Sequence, residues 1–223
     1  MATRTPPRPD DESWLPLLAS LMGVIGFSGL VALVRRRRSE ALDLAITMKL
    51  QAVRQPVLER AMAVVSWFGF PLQSRVIPPL LIGAQWLAHR RLEAAMQLLA
   101  WGTALLSTVI KTFMRRPRPV AGTDLRVVAA ELGGTSFPSG HVLSYVGTYG
   151  WLSVVVSMVV RPIWPRRLMV AVLAGLVALV GPSRIYQGHH WATDVAASYL
   201  LGFSYLAALV ALYRQLRARR FLA

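Results

Sequence analysis

The residues able to do chemistry together gather in three short stretches. The first, Lys111 to Pro119, holds Lys111, Arg115, Arg116 and Arg118. The second, Ser136 to His141, reads Ser-Phe-Pro-Ser-Gly-His. The third, Ser183 to Asp194, holds Ser183, Arg184, His189, His190 and Asp194. Lys111, Arg118 and Arg184 offer three permanent positive charges to one anion. Arginine forks match phosphate oxygens two at a time, and lysine adds a point charge. Ser139, Gly140 and His141 open a helix, whose free first-turn N–H groups suit an anion, and Gly140 allows close backbone approach. His190 and Asp194 are four residues apart, so on a helix they share a face. The carboxylate can then keep one ring nitrogen protonated and leave the other free to attack. His141, at another helix start, is free to act as a general acid.

The elements that must hold these residues are membrane helices. Hydrophobic residues make up 55% of the 223 residues and charged residues only 16%, with mean hydropathy +0.47. Soluble domains carry about 25% charged residues, so an ordinary soluble globule and a disordered chain are both excluded. There is no cysteine, which excludes disulfides, zinc–thiolate sites and thiol nucleophiles. The net charge is +15, and only Lys49 and Lys111 are lysines among the 25 basic residues. In a membrane protein such a charge serves anionic headgroups and positive-inside anchoring, so no nucleic-acid partner is expected. Ten carboxylates in the whole chain make a carboxylate-rich metal site hard to build, so neither metal nor other cofactor is expected.

A span needs about 20 apolar residues. Trp14–Val34 is such a run, ending in Arg35, Arg36, Arg37 and Arg38. Its long, Pro-rich and acidic leader is unlike a signal peptide. Residues 39–69 mix charge with apolar residues and predict an interfacial amphipathic segment. Later spans are expected at Val76–Ala88 (starting at Pro78-Pro79 and borrowing 70–74), Leu92–Met114, Val142–Val160, Leu168–Pro182 and Trp191–Tyr213. Turns are expected at Pro162, Pro165 and Gly181-Pro182. The expectation is an all-α polytopic bundle of six transmembrane helices: a tail (1–13), one membrane domain (14–213) and a basic tail (214–223). Following the chain through those spans brings all three clusters to one membrane face. Taken singly, each cluster has a plain alternative. Arg115, Arg116, Arg161, Arg166 and Arg167 read as interfacial anchors, and His89 as interfacial. His189 reads as a supporting donor or an exposed residue, and Trp14, Trp86 and Trp164 as belt or core residues. The coincidence of three clusters at one face outweighs these.

In order, the clusters resemble the signature of the type 2 phosphatidic acid phosphatase superfamily. Lys-x6-Arg-Pro corresponds to Lys111 with Arg118 and Pro119. Pro-Ser-Gly-His corresponds to Pro138–His141, and Ser-Arg-x5-His-x3-Asp to Ser183, Arg184, His190 and Asp194. The resemblance implies metal-independent hydrolysis of a phosphoester or diphosphate through a phosphohistidine. It implies His190 as nucleophile, Asp194 as its orienting partner and His141 as proton donor to the leaving oxygen. Lys111, Arg118, Arg184, Ser139 and Gly140 would bind the phosphoryl group. The expected substrate is a phosphorylated lipid such as phosphatidate, phosphatidylglycerol phosphate or a polyprenyl diphosphate.

A lipid phosphotransferase would use the same intermediate with another acceptor. A vanadate haloperoxidase is disfavoured by the six spans, and a non-catalytic phospholipid-binding protein by the intact His190, Asp194 and His141. A transporter should show broken helices at mid-membrane. His89-Arg90-Arg91, Arg161, Arg166-Arg167 and the tail arginines lie opposite the clusters, so positive-inside places the site on the outer face of a bacterial-type plasma membrane. The Arg35–Arg38 run disagrees, unless residues 57–74 form an extra crossing or the run anchors outer-face headgroups.

Overall fold

The computed structural model describes residues 14–120, 125–127 and 133–222, and the expected tail 1–13, Asp124 and Glu131 lie outside them. Every regular element among the described residues is a helix: α1 (Leu15–Arg35), α2 (Glu40–Gln51), α3 (Pro56–Trp67), α4 (Pro71–Leu87), α5 (Arg91–Trp101), α6 (Thr103–Met114), α7 (Gly140–Tyr145), α8 (Trp151–Val159), α9 (Ile163–Tyr186) and α10 (Ala192–Leu222). A π-helical stretch, Val146–Gly150, joins α7 to α8. Among the described residues, five helical rods are long and apolar enough to cross a bilayer: α1, α5 with α6, α7 through α8, α9, and α10. The basic stretch after Tyr213 continues α10 to Leu222.

Two expected breaks are not breaks. Pro78 and Pro79 lie inside α4, which starts at Pro71, and Pro182 lies inside α9. A proline in a helix leaves the carbonyl four residues earlier without its donor. Here neighbouring helices supply one. Trp101 Nε1 donates to Ser74 O at 3.2 Å, beneath Pro78. The Tyr199 hydroxyl lies 3.0 Å from Ala178 O, beneath Pro182, and 2.7 Å from Val177 O. It also accepts the Gly181 N–H at 3.0 Å. Such repairs are how a membrane helix tolerates proline. As a result Ser183 and Arg184 lie in the last turns of α9 rather than in a loop.

α1, α5 with α6, and α9 run towards one end, and α7 through α8 and α10 run away from it. At one end Val34, Phe137 and Ala197 pack with Ile110 and Met114, joining the end of α1, the end of α6 and the start of α10. At the other end Leu92, Met96, Trp151, Val155, Leu209 and Tyr213 form a second core. Glu93 ties that end together, accepting from Trp151 Nε1 through its carbonyl at 3.2 Å and from the Tyr213 hydroxyl through its carboxylate at 2.9 Å. Between them the α7 region packs on α9 and α10 through Val142, Tyr145, Val146, Val177, Val180 and Val195. The backbone of the π-helical stretch comes so close to the α5–α6 break that a Cβ on Gly147 would lie 2.3 Å from Ala100 O.

α2 and α3 both stay at the first end. Gln51 Nε2 donates to Tyr186 O at 3.0 Å, Ser66 Oγ is 2.8 Å from Ser183 Oγ, and the Tyr145 hydroxyl donates to Val65 O. Their buried residues are polar (Asp43, Thr47, Gln51 and Ser66), while Leu42, Met48, Val57, Val64 and Trp67 point outward. Residues 57–74 therefore make no extra crossing, and Arg35–Arg38 stands at the same end as the three clusters.

Candidate active site

Each cluster arrives at that end on its own element. Lys111 is in the last turn of α6, which Arg115 terminates in the left-handed conformation (φ 44°). The extended segment that follows carries Arg116 and Arg118. Ser139 and Gly140 start α7, and His141 follows in its first turn. Arg184 is in the last turn of α9, and a turn through Gly188 (φ 74°) leads to His189 and His190. A Cβ on Gly188 would stand 2.3 Å from Arg126 O, so the turn requires glycine. Asp194 is in the first turn of α10.

Lys111, Gly140, His141, Arg184 and His189 line one cavity of about 700 Å³. Arg118 and His190 are not among its lining residues; one Arg118 guanidinium nitrogen donates to His189 O at 2.7 Å and lies 3.4 Å from His190 Nε2. His190 is 2% exposed. Its Nδ1 faces Asp194 Oδ2 at 3.6 Å, longer than a hydrogen bond, and such contacts are often long in ligand-free sites. Asp194 Oδ2 accepts the Trp191 N–H at 2.9 Å, a carboxylate reaching back to cap its own helix. Arg184 is fully buried: one guanidinium nitrogen donates to Gln187 Oε1 at 2.8 Å, while Nε and the other nitrogen find no hydrogen-bond partner among the described residues. A buried guanidinium left half-paired is costly, and an anion in the cavity would complete it. His141 Nε2 and Ser139 Oγ are likewise unpartnered among the described residues.

Three expectations about these residues change. His190 lies in the turn before α10, so it does not share a helix face with Asp194, and the turn itself brings the ring to the carboxylate. The Ser139 N–H is not open to a ligand, because it donates to Ser198 Oγ at 2.7 Å, and Ser198 Oγ in turn donates to Asp194 O at 2.6 Å. Arg116 is not a headgroup anchor. Its guanidinium bridges Asp194 Oδ1 and Asp43 Oδ2, each at 2.6 Å, and also donates to Thr193 Oγ1 at 2.8 Å. Asp43 accepts both the amide and the hydroxyl of Thr193 at 2.8 Å. Asp43, Arg116 and Thr193 went unrecognised because an arginine at a helix end and an aspartate on an amphipathic stretch look like surface residues. The available signal was an acidic residue in a helix otherwise suited to headgroups. His189 is buried rather than exposed, and its carbonyl holds Arg118.

The site's charge balance is carried by its surroundings. Burial pulls the Arg118 pKa down, and the Asp194 charge partly restores it. Burial, followed by the charges of Arg184, Arg118 and Lys111, holds His190 well below the ordinary histidine value, with a hydrogen bond involving the Ser136 backbone opposing them. His190 is thus an uncharged imidazole at neutral pH, the form that can act as a nucleophile.

Residues 94–218 match the PAP2 superfamily. The chain is 32% identical over 178 residues to phosphatidylglycerophosphatase B of Bacillus subtilis (strain 168), covering 78% of this chain and 84% of that protein. Its fold is similar to the crystal structure described as the first transmembrane PAP2 type phosphatidylglycerolphosphate phosphatase from Bacillus subtilis, with TM-score 0.73 and 26% identity over 91% of this chain and 97% of the other. The fold is also similar to Aquifex aeolicus LpxE, with TM-score 0.60 and 24% identity over 77% of this chain and 94% of the other.

A neutral His190 has a consequence for pH dependence. With His190 as the expected nucleophile, protonation would silence it only after the pH falls below the lowered pKa, so the acid limb of kcat/KM should lie below pH 6.5, the ordinary histidine value. Steady-state rates from pH 4 to 8 in detergent, corrected for titration of the substrate phosphate, measure it. An acid limb at or above 6.5 would contradict an uncharged, buried His190.

Proposed function

The chain belongs to the PAP2 superfamily and is a membrane-embedded phosphoric ester hydrolase, and from that premise we propose that it cleaves a lipid phosphomonoester or diphosphate through a phosphohistidine on His190. One observation carries this reading. The His190 imidazole, with Arg118 in front of Nε2 and Asp194 facing Nδ1, adjoins a cavity lined by Lys111, His141 and Arg184. That cavity also follows α6 from Lys111 to Ala104, about 10 Å along a membrane span, and borders the first turn of α4. A site extended along the spans suits a substrate whose phosphate is joined to a lipid tail.

In the proposed reaction His190 Nε2 attacks phosphorus, and the bond to the leaving oxygen breaks as His141 gives that oxygen a proton. Lys111, Arg118, Arg184 and the Ser139–Gly140 region hold the phosphoryl oxygens. Water then attacks the phosphohistidine and passes a proton to His141, the P–N bond breaks, and inorganic phosphate leaves. A phosphotransferase would differ only in the acceptor of this second step. The preferred substrates are of the kind named in the Bacillus subtilis relatives, glycerophospholipids carrying a terminal phosphate.

We further propose that the three cations supply the positive charge that a metal would otherwise bring. For the membrane arrangement we propose six passes. The sixth is α4, 17 residues long, with Leu72, Val76, Leu80, Trp86 and Leu87 exposed along it. α2 and α3 then lie at headgroup level on the catalytic side. The short loop at His89–Arg91, the loop at Arg161 and the start of α9 at Arg166-Arg167 load the opposite end with positive charge, which supports an outward-facing site.

Three experiments test these readings. His190→Ala should retain only background phosphate release from phosphatidylglycerol phosphate, and rapid alkaline quench of the wild type with labelled substrate should trap an acid-labile, base-stable phosphoryl group. His141→Ala should lose about 10²- to 10⁴-fold on alkyl phosphates and much less on p-nitrophenyl phosphate, whose leaving group needs little protonation. An active His190→Ala, or equal His141→Ala losses on both substrates, would refute the respective role.

Wild-type turnover should persist in excess EDTA. Loss of activity restored by magnesium would refute metal independence.

Topology is readable because the native chain has no cysteine. Arg37→Cys should react with an impermeant maleimide on intact cells, and Arg167→Cys only after lysis. The reverse pattern would place the site in the cytoplasm.

A further inference from the structure

A carboxylate that assists a histidine needs its negative charge to be available, yet Asp194 is paired at 2.6 Å with Arg116. A lone Arg116–Asp194 pair would be neutral and would offer His190 little. The second carboxylate changes the sum. Asp43 takes the other arm of the same guanidinium at 2.6 Å, so the buried trio carries one net negative charge behind the imidazole. Side-chain exposure is 1% for Asp43, 0% for Asp194 and 10% for Arg116, so water screens little of it. The geometry is over-determined. Asp43 is fixed by two bonds from Thr193, and the second Arg116 arm is also 3.2 Å from Ser39 Oγ, itself buried just before α2. Asp43 and Ser39 lie well outside residues 94–218, the region matching the family.

We propose that Asp43 and Arg116 are positioning residues for His190. Arg116 clamps one Asp194 oxygen so that the other faces Nδ1, and Asp43 cancels the charge of Arg116 so that a net negative charge remains behind the ring. The phosphorylated imidazole carries positive charge until Nδ1 gives up its proton, and this buried charge stabilises it. The helix α2, read from sequence as a headgroup-level segment, is then part of the catalytic apparatus. The proposal rests on His190 as nucleophile, and its failure is separable from the failure of that reading.

The test is a double-mutant cycle on phosphate release. Asp43→Asn leaves a neutral pair behind His190, so kcat should fall about 10- to 100-fold while KM changes less than about threefold. Asp43→Asn with Arg116→Gln restores a net charge of −1 on Asp194, and its kcat should recover to within about tenfold of wild type. A purely architectural pair would give the opposite result, with the double variant no better than the worse single variant.

A second readout is the acid limb of kcat/KM. The other groups acting on His190 are Lys111 of α6, His141 of α7, Arg184 of α9, and Arg118, His189 and Asp194, and all are unchanged in these variants. Removing the negative charge of Asp43 should move the limb to lower pH. Removing the positive charge of Arg116 alone should move it to higher pH.

If Asp43→Asn does not fold, the double variant alone decides, because it leaves no arginine in the trio unpaired. Activity within about tenfold of wild type supports the proposal, and activity at the His190→Ala level overturns it. Wild-type kcat in Asp43→Asn also overturns it. If His190→Ala is itself active, the fault lies instead with the nucleophile assignment.

Discussion

Three permanent cations converge on one buried imidazole, and like charges oppose such a cluster wherever water is scarce. At an effective dielectric near 20, two unit charges about 7 Å apart repel by about 2 kcal/mol. The protein holds Lys111, Arg118 and Arg184 together because each is fixed by a different helix end or turn, and because Asp194 lies behind them. Two Arg184 nitrogen positions without a partner, and a His141 nitrogen in the same state, mark where charge complementarity is left for a bound anion to supply. An anion bound at this point would offset part of that cost.

The helices can meet this requirement only if their ends stay in register, and membrane packing is what keeps them so. Proline in α4 and in α9 would be expected to bend or stop each helix. Trp101 and Tyr199 serve the carbonyls those prolines leave open, so α9 continues far enough to carry Ser183 and Arg184 to the site. The close approach at Gly147 pulls the π-helical stretch against the α5–α6 break, linking the rods that end at Lys111 and begin at Gly140. In an apolar surrounding, unsatisfied backbone groups cost several kcal/mol each, so these cross-helix bonds are a condition of the fold.

α2 and α3 show the same logic turned inside out. Their fully buried residues are polar, and most of their large apolar residues face outward, Leu50 and Val65 packing on the core instead. Asp43, Gln51 and Ser66 reach three different catalytic elements: the start of α10, the carbonyl ending α9, and Ser183. Breaking one partner of a buried ion pair costs about 3–5 kcal/mol, so the Asp43–Arg116–Asp194 trio also binds the N-terminal helices to the rest of the bundle.

Chemistry-bearing residues were legible in the sequence wherever a short local pattern carried them. The four-residue spacing marks His190 and Asp194 as partners, although the turn before α10 and not a shared helix face brings them together, and the cations announce themselves at the ends of apolar runs that only a membrane explains. Local signals misled at Pro78, Pro79 and Pro182, since the donors that rescue those helices come from residues 17 or more positions away. They also misled at Arg116, because an arginine at a helix end is ordinarily solvated. Only the tertiary structure brings Asp43 across some 150 residues to Thr193 and Asp194. Long-range pairing of single charges leaves no periodicity in a sequence, so the three clusters could be read from the chain, and the Asp43 carboxylate that pairs with Arg116 behind them could not.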